Sequence, residues 1–247
     1  IHPAGGTVFC YRPLARALAE ERTVYGLQAP GLEEGEPLTR IEDMAALYLD
    51  AVQAVQPSGP YHLAGWSFGG FVAWEIACRL RMAGEEVGVL ALLDVRAGLG
   101  EEGLEEPVGE DGRDLLCAAL AELGDEEGLA GRTADELLDR FVARARQAGL
   151  PGIDLNGARR HLAVYRASWQ AVRTHRPGLY PGRAVLLRAA GQGRGESGDS
   201  TLGWGALAAE GIEVQVVPGE HLTMISDPYA AGLAERLRAL LARRRSR

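Results

Sequence analysis

Short apolar runs alternate with amphipathic stretches through the first part of the chain, and that alternation predicts βαβ units around a parallel sheet. A helix is expected over residues 12–20, a strand near 23–27, and a helix running to about 56 from a Thr39-Arg40-Ile41-Glu42 capping box. The apolar run at 61–64 leads directly into Gly65-Trp66-Ser67-Phe68-Gly69, after which a helical pattern continues to about 83. The next strand is expected at 87–93, with Asp94 at its carboxyl end.

The pattern changes after residue 96, and no strand-like run appears before about 180. This stretch reads as a helical insertion. Its opening holds Glu101, Glu102, Glu105, Glu106, Glu110, Asp111 and Asp114 against Arg113 alone, a composition expected to stay solvated and mobile. Further on, Leu137, Phe141 and Ala145 share one helical stripe, and Leu162, Tyr165, Trp169 and Val172 another, so these helices have apolar faces to bury. Strand patterns resume at 184–189 and 214–217, separated by a Gly-rich loop, and a last amphipathic helix is expected over about 228–241. The Arg243-Arg244-Arg245 tail reads as a solvated helix end.

Composition narrows the function classes. With 247 residues, 47% of them hydrophobic, one α/β domain with a buried sheet core is the expectation. The formal net charge is −8 and lysine is absent, so no basic stripe is available to neutralise nucleic-acid phosphates. Cys10, Cys78 and Cys117 lie far apart with no CxxC pair, which points to neither a disulfide framework nor a zinc site and fits a reducing compartment. No apolar run reaches the roughly 18 residues of a membrane span, and the N-terminus lacks a signal-peptide layout, so a cytoplasmic location is expected. Ile1-His2-Pro3 reads as the end of a strand entering a loop, as in a domain cut from a longer chain.

The chemistry centres on Gly65-Trp66-Ser67-Phe68-Gly69, a G-x-S-x-G between an expected strand and an expected helix. Glycines flank a turn so sharp that bulky neighbours would clash, and the turn lifts the serine hydroxyl to a helix N-terminus. A serine needs a base to take its proton, and the base needs a third group to hold its tautomer. On this fold the order is Ser, then Asp or Glu, then His. His221 lies after the last strand and before the final helix, where the base is expected. His62 falls inside a strand, His161 and His175 sit in the inserted helices, and His2 precedes the serine. For the acid, Asp94 competes with Glu196 and Asp199 of the Gly-rich loop; Asp94 is favoured because its carboxylate emerges at the sheet edge one strand from Ser67. Oxyanion donors are expected from the amides of Phe68 and, in His2-Pro3-Ala4-Gly5-Gly6, of Ala4, since Pro3 has no N–H to give.

Together these residues resemble the thioesterase domains that end nonribosomal peptide synthetases, and the similarity covers almost the whole chain. His2-Pro3-Ala4-Gly5-Gly6 resembles the family's oxyanion loop, Gly65-Trp66-Ser67-Phe68-Gly69-Gly70 its nucleophile elbow, and Leu92-Leu93-Asp94 its acid-bearing strand. Leu202-Gly203-Trp204 and Pro218-Gly219-Glu220-His221-Leu222-Thr223-Met224 resemble its closing segments. Trp66 is similar to the residue in terminal, synthetase-fused domains rather than in separate editing thioesterases. The resemblance implies an α/β-hydrolase fold with a mostly parallel central sheet, helices on both faces, a core of about 1–95 and 181–247, and a helical lid at about 96–180 that is long for the family. It also implies an upstream peptidyl carrier protein domain as partner and a peptidyl or depsipeptidyl thioester as substrate. That thioester is presented on the phosphopantetheine arm, with no metal or cofactor in the domain itself. A stand-alone editing thioesterase, a general serine esterase and an inactive ligand-binding relative remain the alternatives.

Overall fold

The computed structural model describes residues 1–19, 22–97, 113–149, 154–191 and 198–243. Four parallel strands stand in the order β1-β2-β3-β4: β1 (Tyr61–Trp66), β2 (Val87–Leu93), β3 (Ala184–Ala189) and β4 (Ile212–Val217). The expected strands at 87–93 and 184–189 are found at those bounds: the first is an apolar run between Glu86 and Asp94, and the second a mostly apolar run between Arg183 and the turn at Ala190-Gly191. Both are buried along their whole length, as strands covered on two faces must be.

Alternation along β2 divides the interior in two. Val89, Ala91 and Leu93 pack with Leu14 of α1 (Arg12–Leu18) and with Leu233, Leu237 and Leu240 of α7 (Ala230–Arg243). Leu90 and Leu92 face the opposite core, shared with Ile41 and Tyr48 of α2 (Ile41–Val55) and Val72 and Ile76 of α3 (Phe68–Met82). Helices thus cover both faces. Between β2 and β3 the chain forms α4 (Arg113–Glu122), α5 (Ala134–Gln147) and α6 (Leu155–Thr174), the expected helical insertion. Leu137, Phe141 and Ala145 are buried, as are Tyr165 and Val172, while Leu162 and Trp169 are partly buried against the same core. The acidic stretch 101–111 and Glu196 lie outside the described residues, as do Arg244 and Arg245.

Two local expectations fail for identifiable reasons. Residues 23–27 form no strand: Ala64 O of β1 and Leu27 O accept from residues 1 and 2 and not from one another's segments, and Val24, Leu27, Leu63 and Ala64 are among the residues lining an apolar groove of about 910 Å³. Ile1 and His2 make these bonds, Ile1 N donating to Ala64 O at 2.9 Å and His2 N to Leu27 O at 3.1 Å. The capping box at Thr39–Glu42 is not made either. Arg40 is the N-cap of α2 without a side-chain capping bond, and the Glu42 carboxylate is engaged by His175 Nδ1 at 2.9 Å and Arg40 Nε at 3.4 Å. A capping box does open α5, where Thr133 Oγ1 accepts from Glu136 N and Glu136 Oε2 accepts from Thr133 N. None of the three cysteines forms a disulfide. Among the described residues no helix is long and apolar enough to cross a membrane.

Candidate active site

Parallel pairing brings the carboxyl ends of the strands to one edge of the sheet, and the candidate residues stand there. Ser67 follows β1 and its N–H donates to Leu93 O at 3.1 Å; Asp94 follows β2 and its N–H donates to Leu187 O at 2.9 Å. The ladder itself therefore sets both backbones. Each takes a left-handed φ of 53°, unusual for a residue with a side chain. At Ser67 the strain has a visible cause in the strand-to-helix reversal. A Cβ on Gly65 would stand 2.1 Å from Gly69 O, and one on Gly69 would stand 2.5 Å from Ile1 O, so only glycine lets the three segments close around Ser67.

Asp94 is buried and fully used. Its Oδ1 accepts from Ala189 N at 3.0 Å and its Oδ2 lies 2.8 Å from His221 Nδ1. Both oxygens are thus placed as acceptors, so Nδ1 is the donor, and in the neutral ring Nε2 is the acceptor. His221 sits in the turns after β4 with its side chain 30% exposed. Trp66, from the elbow itself, supports it: the indole Nε1 donates to His221 O at 3.0 Å and the two rings lie 5.3 Å apart. The competing acid has another task. Asp199 accepts from Thr201 N, Thr201 Oγ1 and Gly203 N, and these bonds hold its carboxyl below the usual range.

Ala4 and Phe68 flank the same corner. The early loop closes as a turn in which Gly6 N donates to Pro3 O at 2.9 Å, a bond that consumes neither the Ala4 nor the Gly5 amide. Phe68 is the first residue of α3. His2, set aside in the sequence because it precedes the serine, connects the two. It is completely buried and stacks on the Phe68 ring at 5.6 Å with a 26° tilt. Its Nδ1 lies 2.7 Å from Pro3 O, which only accepts, so Nε2 accepts from the Tyr48 hydroxyl at 2.7 Å. Burial pushes the ring's pKa down to about 4 and keeps it neutral. The one signal in the sequence is a histidine immediately before the proline of a glycine loop.

His161 and His175 are both in or next to α6, as expected for the insertion. His161 Nδ1 lies 3.4 Å from Gly5 O, and His175 bonds Glu42. His62 is exposed within β1. Among the described residues no group of three or more histidine, cysteine or acidic side chains converges in a way that could hold a metal ion.

A parallel sheet with helices on both faces, a strained serine between strand and helix, and an aspartate and histidine from later strand ends define an α/β-hydrolase fold. Comparison with known proteins makes the assignment finer. The family model for the thioesterase domain matches residues 1–241, and the chain belongs to that family. It is 31% identical over 240 residues to the chondramide synthase of Chondromyces crocatus, covering 92% of this chain and 6% of the relative. It is 33% identical over 191 residues to a dimodular nonribosomal peptide synthase of Bacillus subtilis, covering 76% of this chain and 8% of the relative. The chain thus spans a small part of each relative's length. Among solved structures, holo-AB3403, a four-domain nonribosomal peptide synthetase, superposes with a TM-score of 0.82 at 29% identity, covering 97% of this chain and 19% of that one. The Vlm2 thioesterase domain superposes with a TM-score of 0.75 at 24% identity over 96% of this chain and 90% of its own, a likeness of fold.

Proposed function

We propose that this domain is a serine thioesterase that takes a peptidyl or acyl chain from a carrier-protein phosphopantetheine thioester onto Ser67 and then releases it. The observation that carries the reading is the Asp94–His221 bond of 2.8 Å beside the strained Ser67 elbow, in a member of the thioesterase family. Asp94 holds the proton on Nδ1, so His221 Nε2 is the group free to take the Ser67 proton as the hydroxyl attacks the thioester carbonyl. Amides of Phe68 and Ala4 receive the charge that develops on the carbonyl oxygen. The C–S bond then breaks, the pantetheine sulfur leaves with the proton from His221, and an acyl ester on Ser67 remains. Water or a nucleophile within the chain attacks that ester, giving an acid or a macrocycle and restoring Ser67.

The Bacillus subtilis relative and the superposed four-domain structure are nonribosomal peptide synthases, which supports an upstream peptidyl carrier domain as the partner that delivers the thioester. The pantetheine arm belongs to the substrate; the domain's own side chains supply the acid–base chemistry, and no cofactor or metal enters the proposed steps. Helices α4–α6 act as the lid that shields the ester from water.

Intact-protein mass spectrometry after mixing with acyl-pantetheine tests this. The parent chain is expected to gain one acyl mass, Ser67→Ala to gain none, and His221→Ala to gain it at least about a thousand times more slowly. An unlabelled parent chain that nonetheless hydrolyses small oxyesters would replace the reading with a general esterase.

A further inference from the structure

Helix α6 does more than contribute to a cover. Three of its side chains reach residues 5–6 and 29–32: Arg160 Nε donates to Leu32 O at 2.8 Å, His161 Nδ1 lies 3.4 Å from Gly5 O, and Val164 is buried against Ala29 and Leu32 in a small apolar cluster separate from both main cores. The fit at Val164 is tight. A Cβ on Gly6 would stand 2.6 Å from Val164 Cγ1 and 3.0 Å from Ala29 Cβ, so the loop backbone lies directly on α6. Gly6 O in turn accepts from Ala29 N at 2.9 Å, which ties residues 4–6 and 29–32 into one unit seated on the helix. The ring of Phe141 of α5 packs against His161 at 5.8 Å and backs it from the other side.

Gly5 O accepts, so the His161 Nδ1 is the donor. Burial, the largest influence, pulls the ring's pKa below its ordinary value, partly opposed by the Gly5 bond, which leaves one donor nitrogen rather than two. Gly5 O shares its peptide unit with Gly6 N, which donates to Pro3 O at 2.9 Å, and Pro3 O shares its peptide unit with the Ala4 N–H, so a bond to Gly5 O bears on the tilt of that amide through the turn.

Resting on the thioesterase reading above, we infer that Arg160, His161 and Val164 are positioning residues for the oxyanion loop, so that the Ala4 amide is correctly aimed only while α6 is seated. Lid position and oxyanion stabilisation are then one variable. A lid displaced to admit substrate leaves the loop slack, and reseating α6 restores both the shield and the donor. Geometry of this kind matters because a donor preorganised toward the developing charge is worth about a hundredfold or more in rate, and much of that is lost on a small displacement.

The test uses the whole domain with three variants: Arg160→Ala/His161→Leu, His161→Asn, whose amide NH2 can replace the Nδ1 donor, and Asp139→Ala on the exposed side of α5 as a control. Three readings are taken: kcat and KM with octanoyl-pantetheine, the rate at which an alkyl fluorophosphonate labels Ser67, and hydrogen exchange in peptides covering residues 2–8 and 61–66. The double variant is expected to lose about ten- to a hundredfold in kcat and in phosphonylation rate with KM little changed. It should also exchange faster in residues 2–8 but not in 61–66. His161→Asn is expected to restore most of the loss, and Asp139→Ala to behave as the parent. Parent-like kinetics and exchange in the double variant would overturn the proposal, as would equal acceleration of exchange in both segments, which marks general destabilisation. If the parent fails to turn over octanoyl-pantetheine while the exchange pattern appears as described, the α6 seat stands and the thioesterase reading falls.

Discussion

Ser67 and Asp94 are fixed by the sheet ladder, whereas Ala4 stands in a loop held outside it, in part by side chains that reach the loop from helices. Ser67 N and Asp94 N are themselves ladder donors, to Leu93 O and Leu187 O, so moving either residue means breaking backbone pairing between strands buried on both faces. The loop at residues 2–6 is tied outside the ladder, by backbone bonds to Leu27 and Ala29 and by the Tyr48 hydroxyl, the His161 ring and the Val164 methyls. Ladder bonds share their load along a strand; side-chain contacts can be lost one at a time. On the roles proposed for these residues, the difference assigns rigidity to the bond-making half of the site and adjustability to the charge-stabilising half. A large effect from a small chemical change is therefore expected at the strand edge, and a graded effect at the loop.

The largest expected effect is Asp94→Asn. Ala189 N–H must keep its acceptor, so the amide oxygen stays at the Oδ1 position and the NH2 faces His221 Nδ1. The imidazole is then driven to the other tautomer, with its proton on Nε2, where it cannot accept from Ser67. Turnover of acyl-pantetheine is expected to fall by about 10³- to 10⁴-fold without loss of fold. Asp199→Asn should leave kcat unchanged, because Asp199 is engaged with Thr201 and Gly203. Full turnover in Asp94→Asn together with none in Asp199→Asn would show that the wrong strand edge has been assigned.

A smaller effect, on stability, is expected at His2, where the two halves touch through the stack on Phe68. Its pKa is about 4 in the folded chain against 6.5 for the free ring, because burial penalises the charged form. Between those values the unfolded chain binds a proton that the folded one does not, so stability falls as pH drops from 6.5 toward 4. The full loss is roughly 3 kcal/mol by linkage. Urea unfolding at pH 7 and at pH 4.5 reads it, and His2→Gln should flatten the dependence. Equal pH dependence in both proteins would assign the acid sensitivity elsewhere.

What was legible in the sequence follows the same division. Strands β2 and β3, the turn at Ser67 and the strand-end aspartate are local signals, each carried by a few consecutive residues, and the structure brings Asp94 within hydrogen-bond reach of His221. The parts of the loop half that matter are contacts between distant segments: His2 with Tyr48, Gly5 with His161, Gly6 with Val164. No pattern along the chain announces those partners. The failed capping box at Thr39–Glu42 has the same origin, since Glu42 found His175, far along the chain, in place of its own helix terminus. The expected strand at 23–27 failed because alternation predicts which face a segment buries but not whether a ladder partner stands beside it.

The smallest effect tests whether His221 truly belongs to the rigid half. Its carboxylate partner is wholly buried, yet the histidine itself sits on a turn with 30% of its side chain exposed. Its backbone is anchored by the Trp66 indole, a side chain, and in that respect it resembles the loop half. Trp66→Phe keeps an aromatic ring beside the imidazole and removes the hydrogen bond to His221 O. If the turn depends on that bond, the imidazole loses part of its alignment with Ser67, and kcat should fall about tenfold with KM unchanged, near the worth of one hydrogen bond. The variant also leaves unfilled space in a buried position, so kinetics are read at a temperature where circular dichroism shows both proteins folded. An unchanged kcat would mean that the Asp94 bond alone holds His221. His221 would then be held by the strand-edge Asp94 alone, and the contrast with the oxyanion loop would be complete.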